Sequence, residues 1–207
     1  MSALDVVLVK PGSQNQLYGE LSAFELTAIE PPLWGALLAA YLREKGFSVA
    51  LLDAEVEGWD WQTTAERIKD TGSRLAVVTV SGTNPSASTM NMAGAGAILR
   101  HLREIAPEMR SALAGLHPSA LPERTMTEEA ADFVCQGEGF FTLPALLEEL
   151  KAAAGNRQIP GLWYREGDRI LSNPAPGPLE DLDSLPMPAW DLLPIRSYRA
   201  HTWHCFD

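Results

Sequence analysis

The residues best suited to chemistry are Ala114-Gly115-Leu116-His117-Pro118 and, about twenty positions on, Gln136-Gly137-Glu138-Gly139. Each follows a short apolar run and precedes a helical pattern. That places both at the carboxyl ends of neighbouring strands in an α/β sheet, where such sheets build their ligand sites. Gly115 frees the backbone to approach a ligand, with Leu116 and His117 leaving the strand end beside it. A lone histidine is more often a hydrogen-bonding residue than a metal ligand, and no metal site is expected. Gly137 and Gly139 bracket Glu138, whose carboxylate can take a hydroxyl or an amide. Two such turns side by side point to a large ligand across the strand ends.

Two further loops share that edge. Lys10–Gly19 is polar, and Asn15 and Gln16 are its candidate ligand contacts. Ser81-Gly82-Thr83 opens a hydroxyl-rich stretch that runs to Ser88 ahead of a long helix. Hydroxyls and free amides at a helix N-terminus suit a phosphate or a polar ligand tail, with N-capping by Ser86 or Ser88 as the simpler reading. Behind it, Ala93-Gly94-Ala95-Gly96-Ala97 permits close packing.

Elements to position these loops alternate regularly. Val6–Val9, Phe47–Leu52, Leu75–Val80, Ser111–Ala114 and Phe133–Cys135 read as strands from their apolar runs. A helix opens at Pro31-Pro32, with Leu33, Trp34, Leu37, Leu38, Tyr41 and Leu42 as its stripe, and Gly46 ends it. Trp61–Lys69, Ser88–Ile105, Pro122–Ala131 and Thr142–Ala153 read as further helices. Strands alternating with helices make a doubly wound parallel sheet. Composition shifts after Gly155, and residues 156–207 hold seven of the 15 prolines. Gly161–Tyr164 and Arg169–Leu171 flank Glu166-Gly167-Asp168 as a hairpin. Leu179–Asp207 then reads as an extended connector that ends without closing punctuation, as though cut from something longer.

Composition bounds the partners. A net charge of −11 repels nucleic-acid phosphates and anionic membrane surfaces. No run approaches a membrane span and no signal peptide is apparent, so the cytoplasm is the expected location. Cys135 and Cys205, the two cysteines, make neither a disulfide framework nor a cluster site. A dinucleotide GxGxxG after the first strand, a P-loop and a nucleophile elbow are all missing.

With these residues in place, the chain resembles the N-terminal cobalamin-binding domain of B12-dependent radical SAM proteins. The motifs that carry the likeness are Pro31-Pro32-Leu33-Trp34-Gly35, Asp53, Ser81-Gly82-Thr83, Gly115-Leu116-His117-Pro118 and Gly137-Glu138-Gly139. The proline-rich run Leu182-Asp183-Ser184-Leu185-Pro186-Met187-Pro188-Ala189-Trp190-Asp191-Leu192-Leu193-Pro194 is the most specific. Ala114 and Phe140 depart from the family's GGxHP and GEGE patterns. The resemblance implies an α/β, Rossmann-like (flavodoxin-like), doubly wound five-stranded parallel sheet over residues 1–155. Residues 156–207 would then be a C-terminal hairpin and proline-rich connector leading toward a radical SAM barrel.

It also implies a cobalamin-binding module, with Asn15, Gln16, Ser81, Gly82, Thr83, Gly115, Leu116, His117, Gly137, Glu138 and Gly139 as contacts. The loop Lys10–Gly19 holds no histidine, so the resemblance implies base-off cobalamin without a histidine from that loop below cobalt. The family's CxxxCxxC motif, which holds the [4Fe–4S] cluster that cleaves S-adenosylmethionine, is absent, so these residues alone are expected to do no radical chemistry. The parent would be a radical SAM methyltransferase, or would catalyse a rearrangement or cyclisation. A standalone Rossmann-like domain binding a nucleotide or small molecule is the alternative.

Overall fold

The computed structural model describes residues 4–12, 28–82 and 85–199. Its centre is a seven-stranded sheet, built from β1 (Val6–Lys10), β2 (Val49–Asp53), β3 (Leu75–Val80), β4 (Arg110–Gly115), β5 (Phe133–Cys135), β6 (Leu162–Glu166) and β7 (Arg169–Ser172), in the order β2-β1-β3-β4-β5-β6-β7. The first five strands are parallel. Parallel strands with both faces covered are apolar throughout, and every residue of β3 is buried. The other two strands correct the expected strand count. β6 pairs antiparallel with β5, and β7 with β6, so the hairpin continues the sheet instead of standing beside it. A physical reason lies in β5, which is only three residues long and would otherwise leave its outer edge unpaired.

Helices α1 (Leu33–Glu44) and α6 (Thr142–Ala152) cover one face, where Leu38, Leu42, Leu143, Leu146 and Leu147 pack on Val6, Leu8 and Val77. Helices α2 (Trp61–Asp70), α3 (Pro85–Ile105) and α5 (Pro122–Glu128) cover the other, where Ile68, Leu99, Leu102 and Met126 meet Val7, Val78 and Val134. Local chemistry sets the ends of these helices. Asp60 caps α2 by accepting from the Thr63 amide at 2.8 Å. Gly46 follows α1 at φ +86°, a conformation that suits glycine.

The chain leaves β1 toward the face of α1 and leaves β3 toward that of α3. The point where the connections reverse therefore lies between β1 and β3, and its carboxyl edge is the usual ligand position in such sheets. After β7 the chain returns across α1 through three short 3₁₀ turns. Ala189 and Leu193 are buried there, and the Ala189 amide donates to Ala36 O at 3.0 Å. Among the described residues no helix is long and apolar enough to cross a membrane.

Candidate functional site

Strand register brings the expected turns together. Val80 lies opposite Gly115, and Ala114 opposite Cys135, so the segments after β3, β4 and β5 leave the sheet side by side. Gly115 sits at φ +128°, ψ −171°, in a region essentially restricted to glycine. A Cβ there would land on the Val80 carbonyl oxygen. The next residues form a short helix, α4 (Leu116–Ala120), where the sequence reads as a turn.

Ser88 is a residue the sequence reading undervalued. Its hydroxyl donates to Val80 O at 2.6 Å and accepts from the His117 amide at 3.1 Å. It lies inside α3, so it ties two strand ends together rather than capping the helix. Asn91, one turn further, donates from Nδ2 to Ser81 O at 2.9 Å. The fully buried Ser88 hydroxyl gives a first prediction. Ser88→Ala leaves a buried carbonyl and an amide short of a partner, at a cost of about 1–3 kcal/mol. Chemical denaturation checks it, and an unchanged midpoint would refute the linking role.

His117 Nδ1 lies 2.9 Å from Thr89 Oγ1. Burial, with Arg124 assisting, holds its pKa below the ordinary histidine range, so the ring is neutral at neutral pH. Ser119, at the far side of α4, donates to Gly137 O at 3.1 Å and accepts from Gly137 N at 3.0 Å. That reciprocal pair fixes the β4 loop to the β5 loop. Gly137 and Gly139 take φ of +94° and +85°. Glu138 between them turns its carboxylate to its own chain, with Oε2 accepting from the Leu179 amide at 3.2 Å. Phe140 is buried against Trp34 and Tyr41, with ring centroids 5.2 and 5.1 Å away, so at this position an apolar anchor stands where the GEGE pattern has an acid. Burial raises the Cys135 thiol to about 12, which makes it a core side chain with no thiolate to offer.

The β1–β2 side of the edge is built differently. The Asp53 side chain is fully buried and saturated. It accepts from the Glu55 and Val56 amides at 3.0 and 3.3 Å and from Tyr198 OH at 2.9 Å, with Lys10 Nζ at 3.5 Å. Burial and the Asp53 charge raise the Tyr198 pKa far above its usual value, so its hydroxyl remains a protonated donor. Lys10 also donates to Glu30 O. Ser81, Gly82, Gly115, Leu116, His117, Gly137, Glu138 and Gly139 thus occupy one edge. Asn15, Gln16 and Thr83 lie outside the described residues.

Apolar side chains left in solvent ring the same edge. Leu33 opens α1, Leu116 follows β4, Leu121 precedes α5 and Phe141 precedes α6, and all four are exposed. The glycines of this edge are held against protein: the Cβ positions of Gly115, Gly137 and Gly139 face Val80, Pro176 and the Leu38 and Leu143 side chains.

A family model described as the B12 binding domain matches residues 22–147. The chain belongs to the B12-binding domain family. Relatives of this B12-binding domain include an uncharacterized methyltransferase of Pyrococcus horikoshii, 27% identical over 201 residues, covering 97% of this chain and 41% of that protein. An anaerobic magnesium-protoporphyrin IX monomethyl ester cyclase of Cereibacter sphaeroides is 27% identical, with 84% of this chain and 28% of that protein covered. This chain therefore spans less than half the length of these relatives.

Among solved structures, the radical S-adenosylmethionine methyltransferase TsrM of Kitasatospora setae, with cobalamin and a [4Fe–4S] cluster bound, matches at a TM-score of 0.64 and 19% identity. The match covers 90% of this chain and 31% of that one. The cobalamin-dependent radical enzyme OxsB, with aqua-cobalamin and S-adenosylmethionine bound, matches at 0.65 and 20%, covering 92% and 25%. At that identity the likeness fixes the fold. The family match establishes a cobalamin-binding module.

Proposed function

We propose that this domain binds cobalamin base-off, with the corrin over the ends of β3, β4 and β5 and the nucleotide tail between the ends of β1 and β3. The observation that carries the reading is that Gly115 at the end of β4 and Gly137 and Gly139 in the loop after β5 leave neighbouring strands at one edge, tied together by Ser119, with Leu33, Leu116, Leu121 and Phe141 exposed nearby in the chain. Ser81, Gly82, Gly115, Leu116, Gly137 and Gly139 would line the site. Neutral His117 would offer a hydrogen bond, and Asn15, Gln16 and Thr83 complete the proposed contacts. Glu138 would fix the loop in which the two glycines sit.

Within a longer protein the domain would serve a radical SAM enzyme carrying a [4Fe–4S] cluster and S-adenosylmethionine. The names of its relatives favour methyl transfer or ring closure as the reaction class. Residues 156–207 would lead from the cobalamin domain toward the radical SAM barrel. In either reaction the cofactor supplies a reactive cobalt centre. This chain would bind it and orient it at the strand-end edge.

The test is incubation with hydroxocobalamin, desalting and a visible spectrum, followed by reduction to cobalt(II) and electron paramagnetic resonance. Near-stoichiometric retention without triplet splitting from an axial nitrogen is the expected result. Such splitting would come from either benzimidazole or histidine, so its presence overturns the reading of base-off cobalamin with no nitrogen below cobalt. A colourless protein overturns cobalamin binding by this chain.

A further inference from the structure

Leu179 and Tyr198 mark two ends of one stretch of chain, and each meets a carboxylate at the strand-end edge. At one end Glu138 Oε2 accepts from the Leu179 amide at 3.2 Å, with Pro176 3.5 Å from where a Gly137 Cβ would stand. At the other end Tyr198 OH donates to the buried Asp53 carboxylate at 2.9 Å. Arg199 pairs antiparallel with Ile29, with backbone hydrogen bonds of 2.9 and 3.1 Å. Ile29 is next to Glu30, whose carbonyl receives Lys10 Nζ from the end of β1.

The two carboxylates follow β5 and end β2, the outermost strands of the parallel set. Four inter-strand gaps separate them, roughly 19 Å at the usual spacing. Between its ends the stretch dips along α1. Ala189 is pinned to Ala36, and Asp191 meets Arg43 Nη1 with both oxygens at 2.9 Å. That ion pair is exposed on both sides and adds little by itself. The end contacts differ, because one carboxylate is fully buried and the other sits between two left-handed glycines of the β5 loop.

We propose that Glu138 and Tyr198 are positioning residues that latch residues 179–199 across the parallel sheet, so that seating this stretch and filling the cofactor site favour one another. Glu138 acts through its acceptor oxygen on Leu179 and not through its charge on the cofactor. Tyr198 completes the ligand set of Asp53 and so fixes the end of β2 beside Lys10 and Glu30. Whatever holds the β5 loop and the β2 end in their ligand-ready form also holds this stretch, and the coupling must run equally in both directions. The coupling rests on the cobalamin reading. The latches themselves stand without it.

The experiment compares the wild-type chain with Glu138→Ala, Glu138→Gln and Tyr198→Phe. Amide hydrogen exchange is followed with and without hydroxocobalamin, and its dissociation constant is measured by absorption. Without cofactor, Glu138→Ala should speed exchange at Leu179 about tenfold and Tyr198→Phe should do so at Ile29 and Arg199, while Glu138→Gln, which keeps the acceptor, stays near wild type. With cofactor, exchange across 179–199 should slow in the wild type. Glu138→Ala and Tyr198→Phe should bind about fivefold more weakly, and Glu138→Gln should rescue.

Equal weakening by Glu138→Ala and Glu138→Gln would overturn the acceptor role and assign Glu138 to the cofactor through its charge. Wild-type affinity in Tyr198→Phe would overturn the coupling. Absence of binding by the wild type would overturn the cobalamin reading instead, and the cofactor-free exchange would still judge the latches.

Discussion

Gly115→Ala is expected to abolish cobalamin retention and to lower the melting temperature by roughly 10 °C. Two independent effects act at this position. The φ of +128° strains any residue with a side chain, at about 1–3 kcal/mol. The added Cβ also meets the Val80 carbonyl, which is backbone of the fully buried central strand and cannot rotate away. Relief would require β3 and β4 to part where Val80 faces Gly115, and that movement would break the link through Ser88 as well. A total near 3 kcal/mol converts to roughly 6–12 °C for a chain of this size. Gly46→Ala is the control. It also has positive φ, but a Cβ there meets nothing within 4 Å, so its cost should stay near 1 kcal/mol with retention intact. Equal melting temperatures for the two variants would refute the argument.

Phe140→Ala should have the other large effect. The ring is 2% exposed and meets Trp34 and Tyr41 of α1 edge-on or tilted. Truncating a buried phenylalanine costs about 3–5 kcal/mol, and aromatic pairs add to that. Because Phe140 directly follows Gly139, the cavity opens beneath the loop that carries Gly137, Glu138 and Gly139. Thermal unfolding and cobalamin affinity should therefore fall together. Phe140→Leu should recover most of the stability, since it restores much of the apolar volume. A variant that loses stability while binding cobalamin as tightly as wild type would detach the ring from the site.

Much of the architecture can be read from residue types because buried parallel strands are continuously apolar. Leu75–Val80 and Phe133–Cys135 have the same bounds in sequence and structure. The helices reveal themselves through three- and four-residue spacing, with ends shifted by a few positions, as in α3, which begins at Pro85 rather than Ser88. Pairing over long separations leaves no such trace. Nothing in Gly161–Leu171 says that the hairpin will join β5, since alternation defines a strand without naming its neighbour. Tyr198 and Asp53 stand 145 residues apart, and Glu138 and Leu179 stand 41 apart. The sequence marks Glu138 as a binding carboxylate and is silent on what it binds. Ser88 was visible as a hydroxyl near a helix start, but its two partners come from different strands. Asp53 is legible as a strand-end residue of the family pattern and Lys10 as the start of a polar loop, but not their meeting with each other and with Tyr198.

The hairpin that joins β5 also decides how the molecule behaves in a crowd of its own copies. A three-strand-deep run of buried β3, β4 and β5 ending on an open β5 would offer a flat hydrogen-bonding rail to any passing strand. Instead the sheet finishes on β7, four residues long, beginning with Arg169 and only half covered, after a tight turn at Gly167 with φ +61°. A brief, charged last strand is a poor template for growth. The pair of strands that looks dispensable beside the ligand edge thus serves as a stopper against fibre-like stacking, and shortening the chain ahead of Leu162 would remove it.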